Sequence, residues 1–197
     1  MTIILASASA SRAALLRSAG LEFDVQPARV DEEEIKLALR AEGATPQRAA
    51  EALAELKAHR VSPKTGEDFV IAADQMLVCE DRWYDKPRDI GEAREHLLSL
   101  RGKNHDLISA VVLARGGSII WRHVDIATLT MRNFSEDFLD AYLAQAGEAV
   151  LHSVGCYQLE GLGVQLFSRI RGDFFTILGL PLLPLLDILR ENKVLRA

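Results

Sequence analysis

The chain opens on an apolar run, Ile3-Ile4-Leu5, that gives way to small and hydroxyl residues through Ser7, Ser9 and Ser11. Helical-looking Ala13-Ala14-Leu15-Leu16 follows Arg12, and Gly20 supplies a C-terminal stop. The pattern predicts a buried strand, a tight loop and a helix over Arg12 to Ala19. Leu21 to Val25 alternates apolar and polar, as a short half-buried strand does, and Pro27 ends it. Four acids, Asp31 to Glu34, suit a helix start. Thr45-Pro46 reads as an N-cap followed by proline at the first helical position, with the helix running to about His59. Ala49, Leu53 and Leu56 are placed on its apolar face, with Lys57 at the edge.

Phe69 to Ala73 is a continuous apolar run, the mark of a strand covered on both faces, and it is expected to end at Asp74-Gln75. Met76 to Cys79 and Arg82 to Pro87 form a predicted hairpin turning at Glu80-Asp81. An amphipathic helix is expected over Asp89 to Leu100, closed by Gly102. Two long β runs, His105 to Ala114 and Ser118 to Met131, flank Arg115-Gly116-Gly117. Ser135 caps a helix through Ala144. Val164 to Phe167 is expected as a strand, Arg169, Arg171 and Gly172 as a basic turn, and Leu180 to Arg190 as the last helix. Alternating strands and helices followed by hairpins predict an α/β fold with a mixed sheet. With 197 residues and no repeat or linker, a single domain over 1–197 is expected.

Composition narrows the chemistry. A net charge of -5 disfavours a general nucleic-acid binder. The two cysteines have no metal-ligand spacing and read as reduced core thiols. No basic leader precedes the first apolar segment, and the run Ile177 to Leu189 is interrupted and too short for a bilayer. A cytoplasmic protein without a membrane partner is expected.

The strand–loop–helix opening is a ready anion site, because helix N-terminal N–H groups lack acceptors and the helix dipole favours negative charge. Ser7, Ser9, Ser11 and Arg12 could complete a phosphate cradle. Asp74 is a carboxylate on a buried strand, either a cap or a catalytic acid. One acid of the 31–34 block, Glu32 above all, is either a solvated helix start or a metal and water ligand. Lys57 is by pattern a solvated lysine. Lys86, held extended by Pro87, would offer its amine where a phosphate could meet it. Glu160, in the glycine-rich Gly155 to Gly163, is a surface acid or faces a ligand. Together these residues suit metal-assisted phosphate chemistry, with acids for a hard divalent cation. No P-loop, G-x-S-x-G or zinc pattern is present.

Leu5-Ala6-Ser7-x-Ser9-x-x-Arg12, Leu15-Leu16, Val30-Asp31-Glu32, Lys57-Ala58, Ala73-Asp74-Gln75, Lys86-Pro87, Glu160-Gly161-x-Gly163 and Gly179-Leu180-Pro181-Leu182 resemble, in order and spacing, the Maf family. The resemblance implies nucleoside triphosphate pyrophosphatases that cut between the α and β phosphates. It also implies a divalent cation (Mg2+ or Mn2+), a cytoplasmic location and frequent homodimers. The fold it implies is similar to that of the inosine triphosphate pyrophosphatases, a mixed twisted sheet flanked by helices, with two lobes around a cleft. Carried over, Asp74 matches the proton acceptor and Glu32 an acid of the metal and water site, so that both would touch the cation. Lys57, Lys86, Ser7, Ser9 and Arg12 match the triphosphate surroundings. Ser11, Gln75 and Glu160 fall where substrate choice is set. Gln75 and Glu160 resemble the branch acting on 7-methyl-GTP, whereas a branch acting on dTTP and UTP has Arg, Thr and Gln at the three positions. The family's association with septum formation implies the alternative of a non-catalytic regulator of cell division.

Overall fold

The computed structural model describes residues 2–196. Its sheet has seven strands: β1 (Ile3–Leu5), β2 (Asp24–Val25), β3 (Phe69–Cys79), β4 (Arg82–Tyr84), β5 (Asn104–Arg115), β6 (Ser118–Met131) and β7 (Phe167–Arg171). The order is β2-β1-β3-β5-β6-β7, with β4 also paired to β3. β1 runs parallel to β2 and β3, while β3–β4 and β6–β7 are antiparallel, so the sheet is mixed as predicted. The flanking helices are α1 (Ala10–Ser18), α2 (Glu32–Ala41), α3 (Pro46–Val61), α4 (Ile90–Leu100), α5 (Glu136–Ala146), α6 (Phe174–Ile177) and α7 (Leu182–Glu191).

Local chemistry sets most boundaries. The side chains of Ser9, Asp31, Thr45, Asp89 and Ser135 each accept a backbone N–H three residues on, which satisfies a donor the helix cannot. Gly116 and Gly117 join β5 to β6 with φ of 56° and 81°, the left-handed geometry that a two-residue hairpin loop needs.

The chain divides into two compact units. The first comprises Met1–Gln75, Ile108–Asp125 and Asp173–Ala197. Its core joins Leu5, Leu16, Phe69, Ile71, Val111, Leu113, Leu180, Leu185 and Leu189. The second comprises Met76–Leu107 and Ile126–Gly172 and buries Leu97, Leu100, Leu129, Met131 and Leu139. No helix among the described residues is long and apolar enough to cross a membrane.

Several expectations shift. The Leu21–Val25 strand shrinks to Asp24–Val25, because Leu21 turns into the core and its N–H bonds to the Leu16 carbonyl. β3 does not end at Gln75; the two runs predicted on either side form one strand, so Asp74 lies inside it. On α3, Lys57 is buried and Leu56 is exposed. Ala49, Leu53, Lys57 and Val61 recur every fourth residue, so the lysine falls in the middle of the buried stripe rather than at its edge. Residues 162–166 form a 3-10 turn, and the strand comes after it, carrying Arg169 and Arg171 in extended chain rather than in a turn. α7 starts at Leu182, after Gly179 with φ of 91° and Pro181.

Candidate active site

β1 ends on Leu5, and the next residues turn into α1. Ser9 caps that helix, its hydroxyl accepting the Arg12 N–H at 3.4 Å, while its own N–H donates to Ser7 Oγ at 3.2 Å. Ser7 Oγ also accepts from Arg12 Nη1 at 3.1 Å. The two serines therefore shape the loop from within. Arg12 is buried and reaches across the fold, Nη1 donating to the Ala73 carbonyl at 2.9 Å and Nε to the Gly179 carbonyl at 2.8 Å. Burial lowers its pKa against the opposing pull of Asp74 and Glu32, and a guanidinium stays charged regardless. Among the described residues no acceptor pairs with Nη2, which lies near Gly179. Ser11, half-buried on that turn, has no role in the loop's internal bonding.

The second feature is a carboxylate–amine–carboxylate row. Lys57 Nζ lies 2.6 Å from Asp74 Oδ1 and 2.6 Å from Glu32 Oε1. The lysine and Asp74 are almost completely enclosed; Glu32, on the first turn of α2, keeps 44% of its side chain exposed. Desolvation alone would raise the Glu32 pKa. It is outweighed by the charge and hydrogen bond of Lys57, with Lys36 and Arg12 adding to it, so the net shift is downward and Glu32 stays ionised. Asp74 Oδ2 is buried with no hydrogen-bond partner. A carboxylate oxygen left unpaired in the interior is costly.

A family model described as Maf-like protein matches residues 2–192. The chain belongs to the Maf family. Similar curated proteins include a nucleoside triphosphate pyrophosphatase of Paramagnetospirillum magneticum, 60% identical over 189 residues that cover 96% of this chain and 97% of the relative. Another nucleoside triphosphate pyrophosphatase, of Granulibacter bethesdensis, is 54% identical over 195 residues, 99% of each chain. A 7-methyl-GTP pyrophosphatase of Rhizobium meliloti is 53% identical over 189 residues, 96% of this chain and 95% of the relative.

In this Maf protein the first unit thus gathers Ser7, Ser9, Ser11, Arg12, Glu32, Lys57, Asp74 and Gln75. Lys86 and Glu160 belong to the second unit, where both are exposed, Lys86 just beyond β4 and Glu160 in the glycine-rich loop. Gln75, expected where substrate choice is set, directs its amide nitrogen at the carbonyls of Thr176 and Ile177 and at Ser109 Oγ. Sequence reasoning missed Ser109, Thr176 and the Gly179 carbonyl as neighbours of the Maf site. Gly179 stood in the quoted pattern, but nothing near it in the chain signals a contact with Arg12, 167 positions away.

Proposed function

We propose that the protein hydrolyses nucleoside triphosphates at the α–β phosphate bond, giving a nucleoside monophosphate and diphosphate. The observation that carries this is Asp74: enclosed, tied to Lys57 through one oxygen, with the other unpartnered. Lys57 bonds one oxygen of the carboxylate at 2.6 Å and so fixes its orientation. Oδ2 is then the acceptor for the proton of the attacking water, a transfer that general-base catalysis requires at hydrogen-bond distance. Arg12 Nη2 and the first-turn N–H groups of α1 meet negative charge on the phosphates. The names of the similar proteins support the reaction class.

The donor set suits a hard divalent cation, Mg2+ or Mn2+. Glu32 and Asp74, whose carboxylates lie on either side of Lys57, are the residues that would hold it. Among the described residues no group of three or more His, Cys, Asp or Glu could hold a metal. Water and phosphate oxygens would complete the shell, as magnesium prefers. When bound, such an ion polarises a phosphoryl oxygen and lowers the pKa of water.

For the substrate, 7-methyl-GTP or another modified nucleotide is favoured over dTTP and UTP. The residues Gln75 and Glu160 support this, as does the name of the Rhizobium meliloti relative. A carboxylate at Glu160 can accept from the N1–H and amino group of a guanine edge and suits a cationic methylated base.

A panel of nucleotides incubated with Mg2+ or Mn2+, with products identified, tests the proposal. Pyrophosphate and monophosphate are expected, fastest from 7-methyl-GTP. Release of orthophosphate with a nucleoside diphosphate would overturn the cleavage site. Tight binding without turnover would favour the regulator instead.

A further inference from the structure

Asp74 has two chain neighbours, and both are tied to one distant turn. The carbonyl of Ala73 accepts from Arg12, whose Nε also grips the Gly179 carbonyl. On the other side, Gln75 Nε2 donates to the carbonyls of Thr176 at 3.1 Å and Ile177 at 3.0 Å and lies 3.0 Å from Ser109 Oγ. Ser109 passes its own proton to the Thr176 carbonyl at 2.8 Å. The hydroxyl of Thr176 donates to Asp125 at 2.9 Å. Ser109 and Thr176 are wholly enclosed, so neither can touch a nucleotide.

This network engages both N–H groups of Gln75 and settles which end of the amide points where, because backbone carbonyls accept only from nitrogen. The carbonyl oxygen Oε1 is left over. It faces Gly179, close to Arg12: a side-chain carbon at Gly179 would lie 3.7 Å from Oε1 and 3.6 Å from Arg12 Nη2. Gly179, at φ of 91°, holds a left-handed turn that a larger residue would strain.

We propose that Gln75 is a positioning residue. With Ser109 and Thr176 it locks the Thr176–Gly179 turn against the neighbours of Asp74. This rests on the pyrophosphatase reading and deepens it.

The test compares Gln75→Leu, Gln75→Glu, Ser109→Ala, Thr176→Val and the conservative Thr176→Ser. Loss of the clamp misplaces Asp74, so kcat should fall about ten-fold or more in the first four, because small misplacements of catalytic groups are expensive. KM should change less than about two-fold, since contacts made equally in ground and transition states are kept. Thr176→Ser should keep close to full kcat. Gln75→Glu should behave like Gln75→Leu, because its oxygens face the Thr176 and Ile177 carbonyls. Amide hydrogen exchange over residues 173–182 should quicken in the four clamp variants. Wild-type kcat in Ser109→Ala together with a KM change in Gln75→Leu for some nucleotides only would overturn the proposal. So would a switch of nucleotide preference in Gln75→Glu, or unchanged exchange. Should the wild-type protein turn over no nucleotide, the pyrophosphatase reading fails while the exchange measurement still decides the clamp.

Discussion

In the first unit the buried titratable groups are a guanidinium, two amines and a carboxylate. Arg12, Lys57 and Asp74 are enclosed, and each is held by partners supplied from another element. In the second unit the buried titratable groups are neutral. His105 bonds through Nε2 to the Tyr157 hydroxyl at 2.7 Å, and Tyr142 donates to the Cys156 carbonyl at 3.0 Å. Burial pushes the Cys156 thiol up to about 12 and the Tyr142 and Tyr157 phenols upward, and it pulls His105 down to about 4. Each unit also leaves one buried polar atom without a partner among the described residues, Asp74 Oδ2 and His105 Nδ1. The two are not equivalent. An unpaired carboxylate oxygen costs far more than an unpaired nitrogen on a neutral ring. The expensive one belongs to the Lys57–Asp74 pair, whereas the cheap one is packed against Tyr157 and Phe167.

Breaking the charged side of this comparison should have the largest effect. Asp74→Asn keeps the shape and removes the proton acceptor, so kcat should fall by about 10²- to 10⁴-fold in a steady-state pyrophosphate-release assay. Activity within about two-fold of wild type would remove Asp74 from the chemistry. Next comes Lys57→Met, which strands the Asp74 charge in the interior. Denaturant unfolding should show a loss of about 3–5 kcal/mol, as for a buried pair broken on one side. Adding Asp74→Asn to Lys57→Met should restore much of that stability though not activity; equal instability in single and double variants would show that Lys57 acts by packing alone.

The pH dependence of stability sharpens the neutral side and has the smallest expected effect. His105 has a folded pKa of about 4 against an ordinary 6.5. Between these values the unfolded chain binds the extra proton. Stability from this group is therefore complete above about pH 6.5 and falls as the pH drops toward about 4, a total of about 3 kcal/mol. Glu32 works in a lower window. Its depressed pKa stabilises the fold above its ordinary value of 4.5, and that contribution is lost as the pH falls through the lower folded value. His105→Gln should flatten the decline between pH 6.5 and 4 while leaving nucleotide turnover within about two-fold. A decline of unchanged slope would mean that other groups set it.

The elements that were legible in advance share a reason. Helix caps at Thr45 and Ser135, and the Gly116-Gly117 hairpin, are written by bonds between residues a few positions apart. Errors arose where distant packing overrode local pattern. Leu21 leaves its alternating strand for the core, and β7 forms three residues later than expected because Phe167 to Arg171 pairs with β6. Lys57 shows the same limit inside a correctly placed helix: four-residue spacing put it on the buried stripe, and only Asp74 and Glu32 make a charged residue tolerable there.

By itself the sequence determined the mixed α/β order of elements, most of their boundaries and the set of residues in which the chemistry had to be sought. Those properties follow from periodicity, capping and turn geometry, which act over a few residues. The tertiary structure decided which partners each buried polar residue meets. It set Asp74 within a strand and tied it to Lys57, tied Arg12 to the Gly179 carbonyl, and aimed Gln75 at the carbonyls of Thr176 and Ile177. The bonds responsible join residues from 17 to 167 positions apart, and no local pattern encodes which distant carbonyl or carboxylate a buried side chain will meet.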